Sequence, residues 1–224
     1  MDPSSTGPPR SPTSRWWCRI HGSSLSRPRR SNRATDASRS SSRTTSRKPH
    51  RARAPHTLEQ AVADLEAVRR HAGVDSWVVL GHSWGSDLAV RYALDHPSRV
   101  RSVVGIAGHG LHKDRTWSAI YESLTHTEPK VDIDWVPAVH HALGESFVEW
   151  IHEADLFRRL ADCRVPMTIM AAELDIRPAW PLRQLAALVQ RGAFVEIPDV
   201  PHDLWSTHPQ VWVDVVTKFC HDAG

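Results

Sequence analysis

The pentapeptide Gly81-His82-Ser83-Trp84-Gly85 constrains this chain more than any other feature, because of what flanks it. Immediately before it lies Trp77–Leu80 (WVVL), a wholly apolar run of the kind a buried parallel strand shows. After it, apolar residues recur at helical spacing from Trp84 to about Leu94, and the pattern stops near Pro97. A strand that turns straight into a helix over G-x-S-x-G holds its central residue on a tight, strained turn. The flanking positions must be small so that strand and helix can approach each other, and Gly81 and Gly85 meet that need. The Ser83 hydroxyl then sits at a helix N-terminus, where backbone dipoles favour developing negative charge.

The rest of the chain extends this unit. The segment TLEQAVADLEAVRRHAG places Leu58, Ala61, Val62, Leu65 and Val68 on one helical face, with Thr57 as N-cap and Gly73 as the stop. Apolar runs at Val103–Ile106, Met167–Ala172 and Ala193–Ile197 read as further strands. Helices are expected at Pro181–Gln190 and Pro209–Cys220. Between Gly108 and Asp162 runs a Trp- and His-dense stretch with no clean alternation. Strand–helix order of this kind predicts an α/β fold with a parallel sheet.

Composition changes abruptly near residue 55. Residues 1–55 hold 13 Lys and Arg against only Asp2 and Asp36, whereas residues 56–224 hold 15 bases against 23 acids. The high pI of about 9.0 therefore belongs to the first segment, and the body is acidic. The first segment is Ser, Arg and Pro with few apolar residues, too few to offset the entropy of ordering it. It reads as a disordered basic tail, as an arm or transit segment, or as sequence translated off frame from a GC-rich gene. Any nucleic-acid affinity it carries is expected to be electrostatic and non-specific. No apolar run reaches the ~20 residues of a membrane span. Cys18, Cys163 and Cys220 form no disulfide framework, so a reduced, cytoplasmic setting is expected.

A serine hydroxyl needs a histidine to take its proton, and that histidine needs an acid to hold its tautomer. The chain order for this fold is Ser, acid, His. Asp175 follows the strand at Met167–Ala172, and His202 follows the strand at Ala193–Ile197 on a loop before the last helix. Among fifteen histidines only His202 has both the order and the loop. Glu173, Asp199 and Asp203 are the neighbouring acids and are expected to be solvated. His109-x-x-His112 and His140-His141 lack carboxylate partners at ligand spacing, so no metal is expected. Neither G-x-G-x-x-G nor a P-loop is present, so no nucleotide cofactor is implied.

Over about residues 57–224 the sequence resembles the α/β-hydrolase superfamily, and within it the proline iminopeptidase group. The likeness rests on GHSWGSDLAVRYALDHPSRV (Gly81–Val100), ELDIRP (Glu173–Pro178) and PDVPHDLW (Pro198–Trp205). The resemblance implies Ser83 as nucleophile, Asp175 as acid, His202 as base and the Trp84 N–H as an oxyanion donor. It implies release of N-terminal proline from short peptides, with ester or lactone hydrolysis as the alternative on the same residues. It also implies that the insertion at about 108–162 is a small helical cap. Glu145, Glu149 and Glu153, spaced i, i+4, i+8, are the candidates there for holding a substrate amine. The chain departs from the family upstream: several strands and a His-Gly-Gly-type oxyanion loop are not legible before residue 57, and Ile20-His21-Gly22-Ser23 is only an echo of that loop. A third expectation follows, that of an inactive, truncated hydrolase.

Overall fold

In the computed structural model, residues 56–111, 115–129, 131, 133–134 and 136–221 are described. Strands β1 (Trp77–His82), β2 (Val100–Ile106), β3 (Met167–Ala172) and β4 (Gly192–Ile197) form one sheet in the order β1-β2-β3-β4. Every pairing is parallel, and the register aligns Val79 with Val103, Val103 with Met167, and Met167 with Gly192. Because neighbours in sequence are neighbours in the sheet, each connection must cross a face, and helices fill those crossings. In the crossings lie α2 (Trp84–Asp95), then α3 (Arg115–Leu124), α4 (Pro137–Ile151) and α5 (Leu156–Asp162), then α6 (Trp180–Leu188); α1 (Leu58–His71) precedes β1, and α7 (Leu204–Thr207) and α8 (Pro209–His221) follow β4.

The two faces of the sheet have separate cores. Trp77, Val79, Val103, Met167 and Ile169 face α1, α2, α4, α5 and α6, meeting Leu58, Leu88, Trp150, Leu160 and Leu185. Leu80, Val104, Ile106, Met170 and Ile197 face the other way, onto Val211, Trp212, Val215, Val216 and Phe219 of α8. Alternating residues along β1 and β2 therefore serve opposite cores, as strands covered on both sides require.

Helix α1 starts where expected, with the Thr57 hydroxyl accepting from the Gln60 N–H. Its buried face differs by one residue from the sequence reading. Val68 is 43% exposed, while Arg69 is 6% exposed. The Arg69 guanidinium donates to both Glu66 carboxylate oxygens and to the Val74 carbonyl, so a charged side chain is buried with its donors satisfied.

The 108–162 insertion holds three helices that periodicity did not resolve. Phe147 and Trp150 of α4 and Leu156 and Leu160 of α5 are buried in the α1/α2/α6 core, so much of the insertion packs as body. Arg91 and Arg159 bridge Asp95 and Glu153, joining the end of α2 to the segment before α5. No described helix is long and apolar enough to cross a membrane. The basic segment at 1–55, with its Ile20–Ser23 motif and Cys18, lies outside the described residues, as does His112.

Candidate active site

The turn between β1 and α2 is as tight as its glycines suggested. A Cβ on Gly81 would stand 1.9 Å from the Gly85 carbonyl oxygen, closer than any side chain tolerates. Ser83 is the N-cap of α2 and has φ 55°, ψ −129°, a region costly for any residue with a Cβ. Its N–H is anchored to the Ile106 carbonyl at the end of β2 (2.8 Å), and its carbonyl accepts from the Ser86 N–H (2.8 Å). The side chain caps no helix N–H. Instead, the Ser83 hydroxyl lies 3.0 Å from His202 Nε2.

His202 is delivered by the loop after β4. Its Nδ1 is 2.6 Å from Asp175 Oδ2. A carboxylate only accepts, so Nδ1–H is the donor and Nε2 is left as the acceptor facing Ser83. The loops carrying His202 and Asp175 are zipped together beyond the sheet: Glu173 N–H donates to the Ile197 carbonyl and Leu174 N–H to the Val200 carbonyl. Register along β3 and β4 thus places the two side chains opposite each other. Glu173, expected to be solvated, accepts the Asp199 N–H at 2.9 Å and braces the same loop.

His82, inside the turn, carries no role in the sequence reading. It is buried, and its Nε2 lies 2.8 Å from the His202 carbonyl, so the residue before the serine steadies the loop that brings the histidine. His82, His202 and Asp203 hold one ligand atom each within 4.8 Å of one another, the nearest approach to a metal cluster among the described residues. Both ring nitrogens of His202 are already engaged by Asp175 and Ser83, so a metal there would have to displace them.

Asp175 is almost fully buried. Burial alone would raise its carboxyl, but the hydrogen bond and charge of His202, then the charge and backbone N–H of Arg177, outweigh it. The result lies below the ordinary carboxylate value. Arg177 itself had no role in the sequence reading. Its Nη1 is 3.0 Å from Asp175 Oδ1 and 2.5 Å from Glu128 Oε1, and its N–H donates to Asp175 Oδ1 at 2.9 Å. Burial disfavours the guanidinium charge, yet the Glu128 bond and the two carboxylates hold it above its usual value.

A cavity of about 200 Å³ adjoins His202. Pro129, Leu174, Ile176 and Pro201 give it apolar walls, and Glu128 and Asp203 add acidic ones. Trp84 is the first residue of α2, where backbone N–H groups have no intrahelical acceptor. The glutamates expected to hold an amine are elsewhere. Glu145 pairs with His141 on an exposed surface, and Glu149 is exposed. Glu153 lies beyond the end of α4, tied to Arg91 and Arg159, so the three do not form one helical face and none lines the cavity.

One more residue escaped the sequence reading. Asp87, 2% exposed on α2, accepts the His109 and Gly110 backbone N–H groups at 3.2 Å and the His109 ring Nδ1–H at 2.8 Å. It ties the loop leaving β2 to the helix that begins at Ser83. The signal was a lone acid on an apolar helix, some twenty residues before the glycine-rich GIAGHG segment, too weak to pair the two in advance.

A sequence model of the α/β-hydrolase fold family matches residues 14–132, more than half the chain. The proline iminopeptidase of Neisseria meningitidis serogroup A is 42% identical over 57 residues, which are 25% of this chain and 18% of that protein. The proline iminopeptidase of Xanthomonas citri is 51% identical over 47 residues, 21% of this chain and 15% of the relative. The matched stretches thus span less than a fifth of the length of these curated relatives. Among solved structures, a thermophilic esterase from Thermogutta terrifontis superposes with a TM-score of 0.58 at 15% identity, covering 75% of this chain and 73% of the other. The proline iminopeptidase of Mycobacterium smegmatis does so with a TM-score of 0.55 at 18% identity, covering 75% and 72%. At such identities the structural likeness speaks to the fold alone.

Proposed function

Given that this chain belongs to the α/β-hydrolase fold family, we propose that it is a serine hydrolase acting by acyl transfer through Ser83, His202 and Asp175. The observation that carries this reading is His202 lying between Ser83 Oγ (3.0 Å) and Asp175 Oδ2 (2.6 Å), with each ring nitrogen committed to one neighbour. In the forward step, His202 Nε2 takes the Ser83 proton as Oγ attacks the substrate carbonyl. The charge that develops on the carbonyl oxygen is met by the Trp84 N–H at the start of α2. Asp175 stays ionised and stabilises the imidazolium. His202 then gives the proton to the leaving nitrogen or oxygen, and the acyl–Ser83 ester forms. Water enters, loses a proton to His202, and releases the acid with Ser83 restored.

The proposed substrate is a short peptide with N-terminal proline, which the likeness to the iminopeptidases supports. One observation favours a second reading, a carboxylic-ester or lactone hydrolase: Glu145, Glu149 and Glu153 stand away from the cavity, so the expected amine-binding set is not assembled there. No cofactor is invoked in either reading.

Labelling by a fluorophosphonate probe tests the class, because covalent capture needs an activated serine. The full chain should label and Ser83→Ala should not; equal labelling of both would refute the reading. Turnover of proline naphthylamide against short acyl nitrophenyl esters then separates the substrates, and ester-only turnover would remove the peptidase proposal.

A further inference from the structure

The Arg177 side chain contacts both Asp175 and the insertion. Its guanidinium lies between the Oδ1 of Asp175 and the carboxylate of Glu128, which follows the 3₁₀ turn Thr125–Thr127. The ring of Tyr121 on α3 covers it at 5.0 Å from the ring centroid. Arg177 also holds Oδ1 through its own N–H, so two donors from one residue fix one carboxylate oxygen. The other oxygen, Oδ2, is thereby aimed at His202. All three charged groups are largely buried, with side-chain exposures of 13% for Arg177, 21% for Glu128 and 5% for Asp175. An ion triad this enclosed holds its geometry far better than an exposed pair.

We propose that Arg177 is a positioning residue that orients Asp175 toward His202 and is itself held in place by Glu128 of the insertion. The site and the insertion then form one electrostatic unit, although 49 residues separate Glu128 from Arg177. Arg177 acts through Asp175 and touches no reacting atom. The inference rests on the Ser83–His202–Asp175 reading.

Its consequences have opposite signs for the two partners. The charged and titratable groups facing the guanidinium are Asp175, Glu128 and Tyr121, those facing Asp175 are Arg177 and His202, and those facing His202 are Asp175, His82 and Asp203, which neither substitution touches. Loss of the Arg177 charge leaves Asp175 less compensated, which favours a protonated His202. The acidic limb of the rate profile then moves to higher pH. Loss of the Glu128 charge leaves Arg177 less compensated, and the limb moves to lower pH. Each shift should be roughly half a pH unit or more for charges this close and this buried.

The test uses the full chain and the rate of fluorophosphonate labelling against pH, with folding followed by circular dichroism melts. Arg177→Gln should label about ten- to a hundredfold more slowly, the scale of a misplaced catalytic group. Arg177→Lys, which keeps the charge but offers one donor nitrogen in place of the planar fork, should recover part of that loss. Glu128→Gln should fold normally and shift the acidic limb opposite to Arg177→Gln. Wild-type labelling by Arg177→Gln, or limbs that move in the same direction or not at all, would overturn the proposal. Should Arg177→Gln fail to fold, Glu128→Gln decides: an unchanged profile overturns it. Ser83→Ala in parallel separates the two levels, because labelling that survives there defeats the catalytic reading itself.

Discussion

Replacing Asp87 with alanine removes the acceptor of three donors at once. Two are backbone N–H groups, of His109 and Gly110, in the loop that leaves β2. Ala107 (φ 50°) and Gly110 (φ 70°) are both left-handed, so the chain leaves β2 without continuing a ladder and turns these amides inward onto α2. Gly110 cannot carry a side chain here, since a Cβ would meet Pro181 within 2.8 Å. A buried donor left without a partner costs about 1–3 kcal/mol. The two amides together therefore cost roughly 2–6 kcal/mol, while the His109 ring, 23% exposed, can turn to water. Against a domain stability of about 5–15 kcal/mol this is a large fraction. His109→Ala is the control, because it removes the ring bond and the ring contacts with Trp117 and Phe147 but leaves both amides paired, and should cost about 1–2 kcal/mol. Urea unfolding monitored by tryptophan fluorescence measures both, with the midpoint shifting and the slope unchanged. An Asp87→Ala midpoint within about 0.5 kcal/mol of wild type, or a His109→Ala loss as large as that of Asp87→Ala, would refute the claim that the buried amides dominate.

Gly81→Ala should destabilise the fold by about 3 kcal/mol or more and abolish probe labelling, because the new Cβ meets the Gly85 backbone rather than a side chain that can yield. Gly144→Ala, in the interior of α4 with nothing within 4 Å of its Cβ, should instead raise stability by about 0.5–1 kcal/mol; thermal melts compare the two. Glu66 is held down to about 2, chiefly by its hydrogen bond from Arg69, with Tyr92 O–H adding to it and burial opposing. A carboxyl whose folded value is depressed stabilises above its unfolded value of 4.5, and that stability is lost as pH falls from there toward about 2. Glu66→Gln should therefore flatten the acid limb of the stability–pH curve in that window, and an unchanged limb in urea titrations at stepped pH would contradict the assignment.

The elements that sequence reading located are those whose signal is local. An apolar run followed by G-x-S-x-G and helical spacing can hardly form anything but a strand, a tight turn and a helix, and β1, Ser83 and α2 stand there. The order Ser83, Asp175, His202 was legible because each follows a strand, and parallel strands in sequential order bring their C-terminal ends to one edge. Thr57 declared itself through its spacing to the helix it caps. What stayed hidden depends on distance along the chain. Arg177 and Glu128 are 49 residues apart, Asp87 and His109 are 22, and His82 and His202 are 120, and no composition or period links such pairs. The one-residue shift on α1 has a different origin, because its partners are close in sequence: Glu66 lies three residues before Arg69 and Val74 five after it. An apolar pattern ranks Val68 above Arg69, but the neighbouring turn offers the arginine a carboxylate and a carbonyl, and a charge so compensated can be buried while a valine is left in water. Local sequence thus decides which element forms and where it turns, since backbone preference and hydrophobic period act over a few residues. Which charges meet, and so which side chains steady the site, is decided only once the sheet has closed the distances that make Coulomb and hydrogen-bond terms count.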